Sequence, residues 1–375
     1  MNKKKLLALL LCAALLVSVL CSCGSQTEVE TDTAEEASPA AEADGTVVAV
    51  VNGRNVTEDE FVYFLGYYMD YMEQSYGEVE DWTADYSDGV TYEDFVKDAA
   101  MQWFVYAGAI AQQAERLGVE LSEEDEANLE SQWQEFLAGY ETEEEAYAAL
   151  EEADCTAELY QYILRVQYLN DMVFENMYGE YGAAMSDDEC AAMTETDGYL
   201  MAKHILLLTT TTDEDGNDVE LSDEEKAELY SQMEDMKAQL DAASDEEKEE
   251  LFDTLMNEYS EDTGLESNPT GFLFQEGDLV DEFYQATVNL EIGGISDIVE
   301  TSYGYHLIMR EPVDYDVIPS AYSYYVYYGY DYLTLRYLCA DEAFTESTDS
   351  WMERVEYSLT DVYDAVTIAG TFAEG

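Results

Sequence analysis

The stretch Asn268–Arg310, NPTGFLFQEGDLVDEFYQATVNLEIGGISDIVETSYGYHLIMR, decides how the rest of the chain is interpreted. Gly271-Phe-Leu-Phe274 is short and apolar, which is typical of a strand, and Gly277 predicts a turn after it. From Asp281 to Leu290 the apolar residues recur at helical spacing. Gly293-Gly294 ends that pattern, so the first half of the stretch predicts a strand, a turn and a helix.

Two β-rich runs, Ile295–Val299 and Tyr305–Met309, close the stretch. The second run contains His306, one of only two histidines in the chain. The other, His204, lies about a hundred residues earlier in the apolar run YLMAKHILLLT. Since both histidines fall in strand-like segments, we expect the two strands to bring them together.

The residues between the histidines predict further elements. Tyr199–Leu208 is a strand, and a loop then leads to a capping box at Ser222, whose helix runs to about Leu240. A second box at Ser244 opens a helix that stops near Tyr259. Together with the final stretch, the predicted order is β, α, α, β, α, β, β.

These residues resemble a known family. GFLFQEGDLVDEFYQAT and LEIGGISDIVETSYGYHLI are similar to the second half of a parvulin-type peptidyl-prolyl cis-trans isomerase, and MAKHILL to its first strand. The resemblance covers Gly198–Pro312. The flanking sequence, including VVAVVNGRNVTEDEFVYFL, resembles secreted foldases of the PrsA/SurA type, which carry such a domain inside a helical chaperone. The implied fold class is α+β: a mainly helical chaperone lobe with an inserted parvulin-like domain, a small antiparallel sheet wrapped by helices.

The resemblance implies the roles of seven residues. Parvulins place two histidines back to back beneath an apolar slot for the proline ring, with a cysteine or aspartate across the slot. The matching catalytic positions here are His204, His306 and Asp262, and the matching substrate-binding positions are Phe274, Leu279, Phe283 and Thr301.

Five of these residues also have a purely structural interpretation. The histidines could hold two strands together in a core, and Asp262 could be a turn residue. Leu279 and Phe283 are ordinary core residues on any helix. The segment Asn268-Pro-Thr-Gly271 departs from the family's glycine-aspartate-leucine-glycine pattern, so the resemblance does not define that wall of the slot.

Residues of these types are suited to catalyse prolyl isomerisation. Rotation about a peptide bond must overcome a barrier of about 18–20 kcal/mol, and the two X-Pro isomers lie close in energy. An apolar slot with a few polar groups suffices, so no cofactor and no metal are expected. Phosphate-directed parvulins have basic residues after the first histidine. The loop Thr209–Leu221 has none and is acidic, so phosphorylated substrates are excluded.

The N-terminus predicts export and lipid anchoring. Residues 1–22 are a basic start followed by a short apolar run, which is typical of a signal peptide and too short for a membrane span. Leu20-Cys-Ser-Cys23 resembles a bacterial lipobox with Cys23 as the lipidated residue; an ordinary cleaved signal is the alternative. Residues 23–45 are small and acidic and predict a disordered tether.

The remaining sequence predicts a helical domain, residues 46–197, before the parvulin-like domain, residues 198–312. Capping residues at Thr57, Thr91, Ser122, Thr142 and Thr156 mark its helix starts, and Gly118 a helix end. The C-terminal segment, residues 313–375, begins with the tyrosine-rich run 322–337 and is expected to return and pack on the helical lobe.

Composition excludes some functions. Beyond the signal, 11 Lys and Arg face 86 Asp and Glu, a net charge of −75 on the mature chain. Such a charge repels nucleic acid and favours solubility. Apart from Cys23, the mature chain has only the cysteines Cys155, Cys190 and Cys339, an odd and widely spaced set that does not predict a disulfide framework.

These features predict a prolyl isomerase and chaperone for unfolded exported proteins, held by Cys23 on the outer side of a cell membrane. Two alternatives stay open. One is a holdase whose isomerase domain is inactive and whose aromatic helical lobe binds clients. The other is a surface lipoprotein that binds solutes or mediates adhesion; it requires a large ligand cleft and separated histidines.

Overall fold

The chain folds as an α+β protein, and the computed structural model describes residues 46–213, 216 and 218–372. The predicted signal peptide and tether lie outside these residues. None of the described helices is both long enough and apolar enough to cross a bilayer.

Strands and helices are numbered in chain order within the described residues. Strands β1–β11 are Val47–Val51, Arg54–Thr57, Asp85–Ser87, Val90–Thr91, Leu200–Leu208, Thr210–Thr212, Asp218–Glu220, Phe272–Phe274, Val299–Glu300, Gly304–Glu311 and Tyr357–Leu359. Helices α1–α13 are Glu58–Tyr76, Tyr92–Leu117, Glu123–Ala138, Glu143–Glu152, Ala157–Tyr178, Asp187–Met193, Asp223–Ala242, Asp245–Tyr259, Asp281–Val288, Ser323–Val326, Leu335–Met352, Asp361–Ala365 and Ile368–Thr371. The described residues form two compact units, the first made of residues 46–177 and 342–372 and the second of the described part of residues 178–341.

The first unit is mainly helical. Its helices begin where side-chain oxygens accept hydrogen bonds from backbone N–H groups of the first turn, at Thr57, Thr91, Ser122, Thr142 and Thr156. These caps confirm the predicted helix starts. Helix α2 ends at Gly118 in the left-handed conformation (φ 67°), as the sequence predicts. The core between α1 and α2 is aromatic.

Strand β11 returns from the C-terminal segment to the first unit. It pairs antiparallel with β1, with Leu359 opposite Ala49, in a sheet of order β11-β1-β2. The domain limits at residues 198 and 312 stay a prediction, and the compact units differ from those limits at both ends: residues 178–197 and 313–341 belong to the second unit. Arg336 explains the difference, because its guanidinium donates to the carbonyl of Met185 at 2.6 Å and to the carboxylates of Asp187 and Asp316.

The second unit contains a four-stranded antiparallel sheet of order β8-β5-β10-β9. The element order β, α, α, β, α, β, β is confirmed, with a small hairpin, β6–β7, in the predicted loop. The predicted strand Ile295–Val299 is shorter in the structure. Its pairing is interrupted because the Ser296 hydroxyl, in place of a backbone carbonyl, accepts the hydrogen bond from the N–H of Ile308.

Strands β5 and β10 form the centre of this sheet, paired along eight residues from Gly304 opposite Leu208 to Glu311 opposite Met201. Successive side chains of a strand point to opposite faces. One face carries Ile205, Leu207 and Met309 into a core with helices α7 and α8. The other face carries Ala202 and Ile308 toward helix α9. Both histidines have even numbers, so they lie on the α9 face.

Candidate active site

The two histidines meet on neighbouring strands. His204 lies opposite Ile308 and His306 opposite Leu206, so the two rings are diagonal neighbours on one face of the sheet. Their centroids are 5.3 Å apart and their planes are inclined by 58°. Both side chains are buried. The two strands therefore bring the histidines together, and neither Nδ1 atom has a hydrogen-bond partner among the described residues.

Asp262 holds the first histidine from the segment that follows helix α8. This segment is fixed to β5, because Leu206 donates its N–H to the Ser260 hydroxyl and accepts the N–H of Glu261. Asp262 Oδ2 then lies 3.2 Å from His204 Nε2, while its Oδ1 accepts the N–H of Gly264 at 2.9 Å. Both carboxylate oxygens thus have a donor, which fixes the orientation of the side chain.

Thr301 holds the second histidine from the turn between β9 and β10. Its hydroxyl lies 2.8 Å from His306 Nε2 and accepts the N–H of Tyr303 at 3.1 Å. The turn is closed by the N–H of Thr301, which donates to the carbonyl of Gly304. Thr301 therefore stabilises the turn and fixes the ring of His306 at the same time.

The protonation of the two rings follows from these partners. Hydrogen bonding to His204 lowers the pKa of Asp262, against the opposing effect of burial, so the carboxylate is ionised at neutral pH. Burial, reinforced by His204, lowers the pKa of His306 from 6.5 to about 3, so its ring is neutral. A carboxylate only accepts, so His204 Nε2 carries a proton.

For His306, we assign the hydroxyl of Thr301 as the donor to Nε2. Nε2 is then the acceptor, and the proton of the neutral ring is on Nδ1. In this assignment His306 Nδ1 is a donor, and His204 Nδ1 is an acceptor whenever that ring is neutral. The two unpartnered nitrogens are therefore complementary, since one is a donor and the other an acceptor.

Aromatic rings surround the histidines. The Phe283 ring, from helix α9, has its centroid 5.2 Å from that of His204 and 5.7 Å from that of His306, edge to face in both cases. Phe272, from β8, stacks on His204 at 5.5 Å. Phe274 lies beside Phe283 at 5.7 Å. Buried aromatic groups exclude water and strengthen the electrostatic interactions among the polar atoms they enclose.

Exposure separates the predicted substrate contacts. Among Phe274, Leu279, Phe283 and Thr301, only Leu279 keeps appreciable accessible surface, whereas Phe274 is fully buried and supports Phe283 from the core. Phe272 was missed from the sequence, yet it is half-exposed and stacks directly on a histidine. Strand periodicity could have found it, because Phe272 and Phe274 share one face of β8.

Comparisons with known proteins place both histidines within one family match. A family model described as the PPIC-type PPIase domain matches residues 204–311. The foldase protein PrsA of Caldanaerobacter subterraneus is 27% identical over 275 residues, covering 72% of this chain and 74% of that protein. The PrsA of Halalkalibacterium halodurans is 28% identical over 272 residues, covering 71% of this chain and 64% of that protein.

Among solved structures, the crystal structure of PrsA from Bacillus subtilis aligns with 89% of this chain and all of that chain, at 17% identity and a TM-score of 0.24. The family match begins at one histidine and ends just after the other, and the matches to PrsA extend over most of the chain. Residues 204–311 are therefore a parvulin-type, PPIC peptidyl-prolyl isomerase domain, carried by a chain related to the PrsA foldases.

Proposed function

We propose that this protein isomerises X-Pro peptide bonds in unfolded exported proteins and assists their folding on the outer side of a cell membrane. The observation that carries the proposal is the pairing of His204 and His306 on adjacent strands, inside the residues that match the isomerase family. The surface lipoprotein alternative requires separated histidines and is not favoured.

The proposed chemistry needs no covalent intermediate. The planar amide is stabilised by resonance, and rotation toward the cis isomer removes that resonance at the transition state. An environment that excludes water disfavours the strongly polar planar amide more than the twisted one. Binding that is stronger for the twisted amide therefore lowers the barrier.

Residue roles follow from exposure and charge. Leu279 and Phe272 offer apolar surface to a proline ring, while the half-buried Asp262 offers a carboxylate at the edge of the same surface. The histidines lie beneath this apolar surface. We assign them the role of fixing Asp262 and of setting the polarity at the base of the proposed slot. Phe274 and Thr301 act through Phe283 and His306, respectively.

Substrates without phosphate fit this site best. The loop Thr209–Leu221 has no Lys or Arg, and in its described part Glu220 pairs with Lys226 of helix α7 at 2.8 Å. A dianionic phosphate near Asp262 and this acidic loop would be repelled. Unmodified X-Pro bonds, particularly those in basic segments, are therefore the proposed substrates.

A prolyl isomerisation assay tests the proposal. The full chain is compared on one peptide series that contains unmodified Ser-Pro or phosphorylated Ser-Pro. We expect the protein to accelerate isomerisation of the unmodified peptide, and to accelerate isomerisation of the phosphorylated peptide at least tenfold less. Absence of acceleration on every peptide, with aggregation of unfolded clients still suppressed, would establish the holdase alternative instead.

Anchoring through Cys23 is a separate proposal, supported by the short apolar run that precedes this cysteine. The Cys23→Ser chain, expressed in a host that lipidates exported proteins, is expected in the soluble extracytoplasmic fraction or as unprocessed precursor. Cys21→Ser is the matched control and should remain in membranes. Equal membrane partition of the Cys23→Ser chain and its parent, with the signal peptide removed from both, would refute lipid anchoring.

A further inference from the structure

Two of the cysteines that look unrelated in the sequence are in contact in the structure. Cys190 of helix α6 and Cys339 of helix α11 are both buried, and their thiols are close enough to interact with each other. Both are reduced in this structure. The remaining described cysteine, Cys155, belongs to the first unit and has its thiol on the carbonyl of Thr156 at 3.4 Å.

The contact belongs to a close and regular approach of two helices. One turn before the cysteines, Asp187 of α6 and Arg336 of α11 form an ion pair at 2.7 Å. Each helix therefore supplies an ionic residue and, three positions later, a cysteine, so the two pairs are successive contacts between the same helix faces. Nearby, a Cβ at Gly182 would lie only 2.8 Å from Ala340, so no side chain separates the backbones there. A disulfide requires such an approach, with Cα atoms within about 4.4–6.8 Å.

We propose that Cys190 and Cys339 form a disulfide in the exported protein. This inference rests on the proposed function only for the compartment, since disulfides persist outside the cytoplasm. The cross-link would close residues 191–338 into a covalent ring. That ring contains the whole isomerase domain, residues 204–311, so the two chain segments leaving the domain would be joined to each other.

The chemistry is thiol–disulfide exchange with a disulfide oxidant, either a small molecule or an oxidoreductase. One thiolate attacks the oxidant and releases one reduced thiol; the second cysteine then attacks the mixed disulfide and releases the other. Two protein thiols are oxidised and one oxidant disulfide is reduced to two thiols. Burial raises the pKa of the Cys190 thiol, which slows attack in the folded state. The bond is therefore expected to form during folding.

Peptide mapping tests the proposal. The full chain is unfolded and reduced, then refolded in oxidised and reduced glutathione, and free thiols are blocked with an alkylating reagent. Digestion at acidic residues without reductant is expected to yield one linked pair of peptides, containing Cys190 and Cys339, that separates on reduction. Cys155 should be recovered alkylated. Recovery of Cys190 and Cys339 as alkylated thiols, or of either joined to Cys155, would overturn the proposal.

Thermal unfolding supplies a second readout. A cross-link that closes a long loop reduces the entropy of the unfolded chain, so the oxidised protein should unfold about 5 °C or more above the reduced one. In the Cys339→Ser chain the same oxidising treatment should give no shift, whereas the Cys155→Ser chain should shift like the parent. Equal midpoints of the oxidised and reduced parent would refute a stabilising bond. Isomerase activity of the reduced chain is measured separately, so failure of either proposal is recognisable without the other.

Discussion

The two faces of the β5–β10 pair bury polar groups differently: one face holds an ion-paired lysine and the other two partly partnered histidines. On the α8 face, Lys203 is 8% exposed and forms ion pairs with Asp253, Glu311 and Glu249 at 2.9, 3.0 and 3.5 Å. On the α9 face, His204 and His306 each have one partnered ring nitrogen and one Nδ1 without a partner among the described residues.

This difference separates stability from function within a single pair of strands. A buried polar group whose partners are all present helps to specify the fold, whereas one left unpaired costs stability and is available to a ligand. Because side chains alternate along a strand, Lys203 and His204 are adjacent in the chain and yet serve opposite faces. Substitutions on the α8 face should therefore affect stability alone, and those on the α9 face should affect activity or the pH dependence of stability.

The largest effect is expected from Lys203→Met. Glu311 has an 11% exposed side chain and would be left without its cation, so we expect a loss of about 3–5 kcal/mol in the free energy of unfolding. Lys237→Met, which breaks an exposed i,i+4 pair with Asp241, should cost at most about 0.5 kcal/mol. Urea unfolding measures both. The Lys203→Met, Glu311→Leu double variant should recover most of the loss, and equal costs for the two lysines would contradict the role of burial.

A smaller effect is expected from pH on the α9 face. The unfolded chain takes up a proton at His306 near pH 6.5, but the folded chain does so only near pH 3. Between these values the unfolded state binds more protons, so stability falls as the pH falls. From pH 7 to pH 5, which stays above the isoelectric point of about 4.1, this contributes up to about 2 kcal/mol. The lowered pKa of Asp262 acts in the same direction, but only below its ordinary value of 3.8.

Comparison with His306→Gln measures this contribution, because glutamine has no titrating proton and all other residues of the chain are the same. Urea unfolding at pH 7, 6 and 5 should show a steeper decline for the parent than for the variant. Parallel declines would show that the burial of His306 has no effect on acid stability.

Asp262→Ala is expected to lower kcat/KM for unmodified X-Pro peptides at least tenfold, which corresponds to about 1.4 kcal/mol. The reason is that the variant removes the carboxylate that holds His204 Nε2 and borders the proposed slot. Suppression of client aggregation should not change. Asp297→Ala, at an exposed aspartate of the same unit, is the matched control. Loss of both activities in a still folded protein would contradict the proposal that the isomerase and chaperone sites are separate.

Much of the second unit could be predicted because its signals are local. Capping residues and hydrophobic periodicity mark where elements begin and what type they are, and two histidines in apolar runs suggest a pair. The resemblance to a family supplied Asp262 and Thr301, whose partners no local pattern reveals. In the structure these partners depend on how Ser260 and Glu261 bind to β5 and on the turn at Tyr303.

The long-range contacts could not be predicted in this way. The assignment of residues 313–341 to the second unit depends on Arg336, whose partners near residue 187 lie about 150 positions away. The contact between Cys190 and Cys339 arises from the same pairing of helices. Composition and spacing carry no information about such long-range contacts, because these contacts form only when the two ends of a folded unit come together.

The smallest expected effect tests whether Thr301 acts only through His306. Thr301→Val keeps the shape of the side chain and removes the hydroxyl, so His306 Nε2 and the N–H of Tyr303 each lose a partner. We expect a loss of about 1 kcal/mol in the free energy of unfolding and a kcat lower by a factor of about 3–5, with KM unchanged because Thr301 is buried. Thr301→Ser restores the hydroxyl and should recover both values. If serine recovers stability but not kcat, the methyl group matters and the role of Thr301 is packing. If valine raises KM instead, Thr301 contacts the substrate directly, and the α9 face is more open than its burial indicates.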